Sequence, residues 1–537
     1  MDSFLQEAFN NGCYLHPGIQ FQRSDNVEGT FIAIASKDID GDQVLISCPE
    51  SYIITLQKAK NELCRLSPKF ADEKMHTIVC TFFALERLKG EKSQWAKYIE
   101  YLPKTFDTPL YFTDDELKSL EHTNIFYGCN DRKRIWKEEH ATAAKLLDNP
   151  DNFSWNMYLW AATVFSSRCF SSALLGEEDT DDAAPILIPL VDSLNHKPRC
   201  PIIWNKVTKE SHAVQLVSVK PISSGGQVYN NYGPKGNEEL LMGYGFCLPN
   251  NEFETFALRL SLDKAVYNSE KKRSILASHG LSKLNFWIPK QVDFSHLQNI
   301  LDALVVITAS PFELKTLEEH LATHSFDSYK PSISGRLRAF QILIEYFYQC
   351  MAQIQSSLPV DGDSYRAVCI ETYKKGQLDI VSTALQVAKS KMESCVLDGN
   401  DGTLLRYLAS HAISVFLLQH PNFSKLKEAI ENVFGESDPQ AIIDMGDDED
   451  MIFLIVCAYC FYKREDVPFD ITKFIQTGTA ITEDGKEFYD YFHSNFANAF
   501  KDIMKDISMF TLESFSWAMY LLTYEAIDVS NFTFVLP

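Results

Sequence analysis

The stretch Ile186-Leu187-Ile188-Pro189-Leu190-Val191-Asp192-Ser193-Leu194-Asn195-His196 is an apolar, strand-type run that stops abruptly in polar residues. Polar groups at the end of a buried strand can face a cleft. Further along comes Asn230-Asn231-Tyr232-Gly233-Pro234-Lys235-Gly236-Asn237-Glu238-Glu239-Leu240-Leu241-Met242-Gly243-Tyr244-Gly245-Phe246, in which tyrosines are bracketed by glycines that let backbone approach a ligand closely. Upstream, Ser166-Ser167-Arg168-Cys169-Phe170 closes a helical pattern that opens at Trp155, with Asn152 and Ser154 as capping candidates. Singly, Asn195-His196 reads as a capped turn and Tyr232 as a core aromatic. In this order they form a specific constellation.

Working outward, residues 1–57 alternate short β-type runs with turns, among them Phe31 to Ala35 and Val44 to Ile46. From about 60 to 165 the apolar period becomes helical, as in Thr77 to Leu88. Strand signals return at Pro185 to Leu190, Pro201 to Trp204 and Ala213 to Val219, so a helical block interrupts one β-rich unit. After about Leu260 the chain reads as helical to its end, a separate α domain. The fold class is α+β. A short echo, Phe153 to Leu159 against Phe515 to Leu521, reads as two similar amphipathic helix starts.

The 537 residues are 45% hydrophobic and 23% charged, a packed globular composition that excludes long disordered arms. A net charge of −22 repels phosphate backbones and excludes direct nucleic-acid binding as the first expectation, while favouring basic partners. The short basic clusters Arg132-Lys133-Arg134 and Lys271-Lys272-Arg273 read as helix surface. The acidic run Glu177-Glu178-Asp179-Thr180-Asp181-Asp182 offers either a solvated loop or an edge that steers a basic substrate. Thirteen irregularly spaced cysteines suit reduced thiols, and the first residues lack a signal-like basic start and apolar stretch. The apolar run Met451 to Tyr462 falls short of the ~20 residues a membrane helix needs. These features lead us to expect a soluble, monomeric, intracellular protein, cytoplasmic or also nuclear, with no membrane partner.

Several chemistries fall away. Neither a dinucleotide fingerprint nor a Walker loop is present, and His140, His196 and His212 lack zinc-protease spacing. The pair Cys457 and Cys460 lies inside an apolar run, where packing rather than metal binding is expected. No metal is implied.

The motifs from Leu190 to His196 and from Asn230 to Phe246, with Asp363-Ser364-Tyr365-Arg366 and Tyr373-Lys374-Lys375-Gly376-Gln377, resemble the SET-domain protein methyltransferases. The resemblance lies in the branch of the Rubisco large-subunit lysine methyltransferase, and within it to the fungal enzymes that methylate ribosomal proteins and elongation factors. It implies a split SET domain over 20–260 with a helical insertion at about 60–150, then a helical substrate-binding domain over 261–537.

It also implies S-adenosyl-L-methionine as cofactor and a basic protein of the translation machinery as substrate. By that resemblance Arg168, Asn195 and His196 hold the cofactor, together with Tyr232 and Phe246 and a backbone turn at Gly29, Thr30 and Phe31. The turn lacks the second glycine of the family's pattern. The lysine channel falls on Ser167, Phe170, Asp192 and Tyr244, and Tyr232 takes the catalytic position. Two alternatives stand beside this expectation: methylation of histidine, which one member of the wider branch performs, and an inactive SET-type binding module.

The chemistry suits such a site. Methyl transfer to an amine needs a neutral nucleophile, which an apolar aromatic channel favours by desolvating the ammonium. Positioning and fixed dipoles then carry the rate without a metal.

Overall fold

Alternating apolar residues build the β elements of the first part of the chain. They are β1 (Tyr14–Leu15), β2 (Ile19–Arg23), β3 (Phe31–Ala35), β4 (Gln43–Pro49), β5 (Phe170–Ser171), β6 (Pro185–Ile186), β7 (Ile202–Asn205) and β8 (Ala213–Ser218). In β4 the inward residues Leu45, Ile46 and Cys48 are fully buried. The computed structural model describes residues 1–23, 31–148, 151–176, 183–206, 208, 212–360, 362, 364–397, 421–435, 447–463 and 481–522.

One sheet has the order β1-β4-β8-β7, and β2 pairs antiparallel with β3, Ile19 facing Ala35 and Arg23 facing Phe31. The strand signal over Pro185 to Leu190 yields only β6 plus a bridge between Leu187 and Ile54. Pro189 has no amide hydrogen to donate, and Leu190 takes φ 73°, so the ladder cannot continue.

The chain divides into two compact units, one of residues 1–256 and 350–380, the other of 257–349 and 381–537. In the first unit, helices Leu56–Leu66, Met75–Lys89, Ala96–Tyr101, Asn124–Leu146 and Trp155–Arg168 lie between β4 and β5, the expected interruption of the β structure. Their core is aromatic: Phe83 stacks on Trp160 with centroids 5.3 Å apart and meets Phe165 edge-on at 5.9 Å. The short helix Ala96–Tyr101 is seated by Glu7, whose carboxylate accepts from the amides of Lys97 at 2.8 Å and Tyr98 at 3.0 Å and from the Tyr52 hydroxyl at 2.7 Å. A carboxylate at a helix N-terminus meets unpaired amides and the positive end of the dipole.

Segment 350–380, read from the sequence as part of the helical domain, belongs to the first unit. Its motif residues explain why. Arg366 pairs with Asp107 at 2.8 Å and Glu116 at 3.3 Å, and Gln377 donates to Glu254 at 2.9 Å.

In the second unit, helix Asp447–Tyr462 is buried on every side from Ile452 to Phe461, packed among Phe423, Phe492, Phe515 and Trp517. The apolar run is a core helix, and Cys457 and Cys460 are part of its packing. The helix Pro311–Leu321 begins with a capping box between Ser310 and Glu313, and the buried Glu313 also pairs with the half-buried Arg338. Among the described residues no helix is long and apolar enough to cross a membrane.

Candidate active site

The helix Trp155–Arg168 starts where the Ser154 hydroxyl accepts from the Met157 amide at 3.3 Å, and runs through eight consecutive buried residues, Tyr158 to Phe165. It ends at Cys169, whose backbone is extended, so Ser167 and Arg168 project from the last turn toward β5. Opposite them the chain from Ile188 turns sharply. Leu190 sits at φ 73°, ψ −42°, a conformation that costs a β-carbon-bearing residue ~1–3 kcal/mol and persists here because its side chain is wholly buried. The turn delivers Asp192 inward.

Asp192 and Arg168 form the charged end of the site. One Arg168 Nη donates to the Asp192 carbonyl at 2.9 Å and faces its carboxylate Oδ2 at 3.3 Å, with the arginine side chain 20% exposed and the aspartate 1%. The same Oδ2 accepts from the Tyr98 hydroxyl at 2.7 Å. Burial pushes the Asp192 carboxyl up, while Arg168 and Tyr98 hold it back. Burial opposes the charge on Arg168 as well, but Asp192 and the surrounding phenols outweigh it and raise its pKa, so the guanidinium stays charged.

The aromatic end is built by the second motif. His196 and Asn230 meet in a parallel bridge, and the Tyr232 amide donates to His196 Nδ1 at 3.0 Å, which leaves the ring proton on Nε2 in the neutral imidazole. Burial lowers the His196 pKa, consistent with that neutral form. The Tyr232 ring lies between His196, 4.9 Å away, and Tyr244, 5.0 Å away, and its hydroxyl donates to the Leu194 carbonyl at 2.7 Å. Burial pushes the Tyr232 phenol up to about 12, so it is a protonated hydroxyl with oxygen lone pairs to spare, not a base. Phe246 backs this stack, 6.3 Å from His196 and 6.2 Å from Tyr244. Gly245 between them has φ 80°, and a β-carbon there would lie 2.8 Å from the Asp107 carbonyl carbon.

These elements enclose a cavity of about 240 Å³. Of the residues expected at the site, Ser167, Arg168, Phe170, Asp192, Tyr232 and Tyr244 line it. Asn195 is exposed and lies outside that lining. Phe31 begins β3, its ring 5.9 Å from Tyr101, which faces Arg168 and Ser193. Gly29, Thr30 and the acidic run 177–182 lie outside the described residues.

The sequence reading missed Trp204, whose ring meets Phe170 at 5.0 Å, and the lining residues Asn230 and Asn231. The asparagines stand inside the second motif, directly before Tyr232, which was the available signal. Tyr98 and Tyr101 carry no such signal, because nothing local marks a helix residue that reaches a distant site.

Three buried polar atoms here have no hydrogen-bond partner among the described residues: Asp192 Oδ1, His196 Nε2 and Asn230 Nδ2. Orphaned buried polar atoms cost ~1–3 kcal/mol each, and two of these residues, Asp192 and Asn230, line the same cavity as the Arg168 guanidinium, which fits a polar, zwitterionic ligand. Among the described residues no group of three or more His, Cys, Asp or Glu could hold a metal ion.

No protein-family model matches the chain. The solved structure of the SET domain of LSMT bound to lysine and AdoHcy superposes with a TM-score of 0.63 at 18% identity, covering 76% of this chain and 98% of that one. The fold is that of the SET-domain protein methyltransferases. Ribosomal lysine N-methyltransferase set10 of Schizosaccharomyces pombe is 41% identical over 547 residues, 100% of each chain. The actin-histidine N-methyltransferase of Canis lupus familiaris is 24% identical over 387 residues, 67% of this chain and 64% of that one. The chain belongs to the SET-domain protein-lysine N-methyltransferases.

Proposed function

We propose that this protein transfers a methyl group from S-adenosylmethionine to the ε-amine of a lysine on a basic protein of the translation machinery, a ribosomal protein before an elongation factor. The observation that carries the reading is the cavity that joins the Arg168–Asp192 pair to the Tyr232–Tyr244 stack. The full-length similarity to a ribosomal lysine methyltransferase supports the ribosomal substrate, and the weaker, partial similarity to a histidine methyltransferase supports lysine over histidine.

The cofactor, when bound, supplies a methyl group on a sulfonium. The chain's residues do the rest. Arg168, held at one nitrogen by Asp192 and faced by Tyr101, lines the cavity as the fixed positive charge that a carboxylate would meet. Asn230 and His196 complete the cofactor side, and their nitrogens without a partner among the described residues are available donors.

On the acceptor side, Phe170, Trp204 and Tyr244 form apolar walls that desolvate a lysine stem and favour the neutral amine. The ring faces also attract the partly positive ammonium that forms on transfer. Tyr232, whose hydroxyl donates to the Leu194 carbonyl, turns its oxygen lone pairs to the same charge. Ser167 and Asp192 line the channel beside it.

The substrate protein itself is captured by the helical region after residue 260. A lysine side chain offers the same contacts on every substrate, so discrimination needs a wider surface. We place the activity in the cytoplasm and in a monomer.

The test is calorimetric titration of the full chain with S-adenosylmethionine in a chelator, followed by methylation of salt-washed ribosomes depleted of the enzyme. Micromolar binding without metal and methyl incorporation into one ribosomal protein are expected. A folded chain that binds no cofactor overturns the reading.

A further inference from the structure

The hydroxyl of Tyr98 sits far from the sequence motifs that form the site, on the short insertion helix Ala96–Tyr101, yet it makes one of the shorter hydrogen bonds of the charged end. Its ring is fully buried against Phe4 and Phe83, at 5.5 and 6.2 Å, and its amide is fixed by Glu7 of the helix Asp2–Asn10. The phenol therefore has one orientation. It points at Asp192 Oδ2, the oxygen that also faces Arg168, while the other carboxylate oxygen, Oδ1, has no partner among the described residues.

A carboxylate with a single guanidinium contact at 3.3 Å could rotate about its Cβ–Cγ bond and exchange its two oxygens. A second donor on Oδ2 stops that rotation and keeps Oδ1 turned away from Arg168. Resting on the methyl-transfer reading above, we infer that Tyr98 is a positioning residue for the cofactor site, locking the Asp192 carboxylate so that Arg168 keeps its place on the cavity wall, and Asp192 its free oxygen, toward the cofactor's amino-acid end. The insertion thereby does more than pack on the β unit, because one of its side chains sets the geometry of the charged pair.

Several groups face Asp192 and shape its titration: Arg168 from the long helix, Tyr98 and Tyr101 from the insertion helix, Cys48 from β4 and Tyr232 from the second motif. Of these, Arg168 and Tyr98 favour the ionised form by hydrogen bonding, against burial. Removing the Tyr98 hydroxyl raises the carboxyl further, and a protonated Asp192 no longer holds Arg168 by charge. Affinity for the cofactor then falls at a higher pH than in the wild type.

The experiment uses the full chain and S-adenosylmethionine in calorimetry from pH 6 to 9, with Tyr98→Phe, Asp192→Ala and the double variant. Tyr98→Phe is expected to weaken binding about tenfold, the size of one hydrogen bond to a charged group, and to move the acid loss of affinity to higher pH. The KM for the protein substrate should stay within twofold. In the Asp192→Ala background the same change should add less than twofold, since its partner is gone.

Equal effects of Tyr98→Phe with and without Asp192, or equal losses toward cofactor and protein substrate, would show a merely structural phenol and overturn the inference. An unchanged affinity and pH profile for Tyr98→Phe would do the same while leaving methyl transfer intact. A folded wild type that binds no cofactor overturns both. If Tyr98→Phe lowers the melting temperature below the assay, the titration is made at a lower temperature where the variant is folded, and wild-type affinity and pH profile there refute the lock.

Discussion

Tyr232→Phe removes one oxygen and keeps everything else that defines the position. The ring remains sandwiched between His196 at 4.9 Å and Tyr244 at 5.0 Å, and the backbone amide still donates to His196. Two things are lost: the hydrogen bond to the Leu194 carbonyl at 2.7 Å, and the lone pairs that face charge developing on the acceptor. The first is an ordinary buried bond, ~1 kcal/mol net, which lowers the melting temperature by ~2–4 °C. The second is a preorganised electrostatic contact, and losing one such contact slows turnover by ~10²- to 10³-fold.

Because burial holds the Tyr232 phenol up near pH 12, it stays protonated across the assay range, and the pH–rate inflection belongs to the substrate amine. The variant should keep that inflection. The assay measures kcat with labelled cofactor at saturating ribosomal substrate, cofactor Kd by calorimetry and melting by fluorescence. A large fall in kcat with Kd changed less than threefold is the expected result. Wild-type turnover, or parallel losses in kcat and cofactor affinity, would refute the role given to this hydroxyl.

Gly245→Ala should destabilise the first unit by ~1–3 kcal/mol in denaturant titration and lower kcat, because φ 80° and the Asp107 backbone leave no room for a methyl beside Tyr244. His76 is opposed by burial, but Cys80 and Glu139 outweigh that and push it up to about 10. Its raised value means the pairing contributes fully below pH ~6.5 and is lost as pH rises toward 10. Wild-type melting should therefore fall over that window more than that of His76→Gln. In the second unit, Glu313→Ala removes a buried carboxylate and strands the half-buried Arg338, which should cost ~2–4 kcal/mol, whereas cofactor affinity in calorimetry should be unchanged.

The β-rich unit, its helical interruption and the two motifs were legible because periodicity and glycine placement are local properties. Arg168 could be read as the last residue of an amphipathic helix, and the structure puts it on the cavity wall. The Asn195-His196 pair shows where local reading stops. Along an extended segment neighbouring side chains point to opposite sides, so His196 is buried against Tyr232 while Asn195 faces outward.

Asn230, fully buried with its amide nitrogen without a partner among the described residues, was visible only as a neighbour of Tyr232. Trp204 lies on β7, in a different sheet from Phe170 on β5, and only tertiary packing brings their rings together. Tyr98 is joined to Asp192 by tertiary packing across a separation of 94 residues, and no pattern in either segment encodes that meeting. The return of 350–380 to the first unit has the same origin, since the ion pairs of Arg366 with Asp107 and Glu116 are defined only in three dimensions.

The most direct measurement is tandem mass spectrometry of ribosomal proteins methylated by the purified full-length chain, with Tyr232→Phe protein as the control. The account predicts added methyl on the ε-nitrogen of a single lysine, formed by the wild type and nearly absent with the variant. Methyl on a histidine ring nitrogen, or equal incorporation by both proteins, would contradict it.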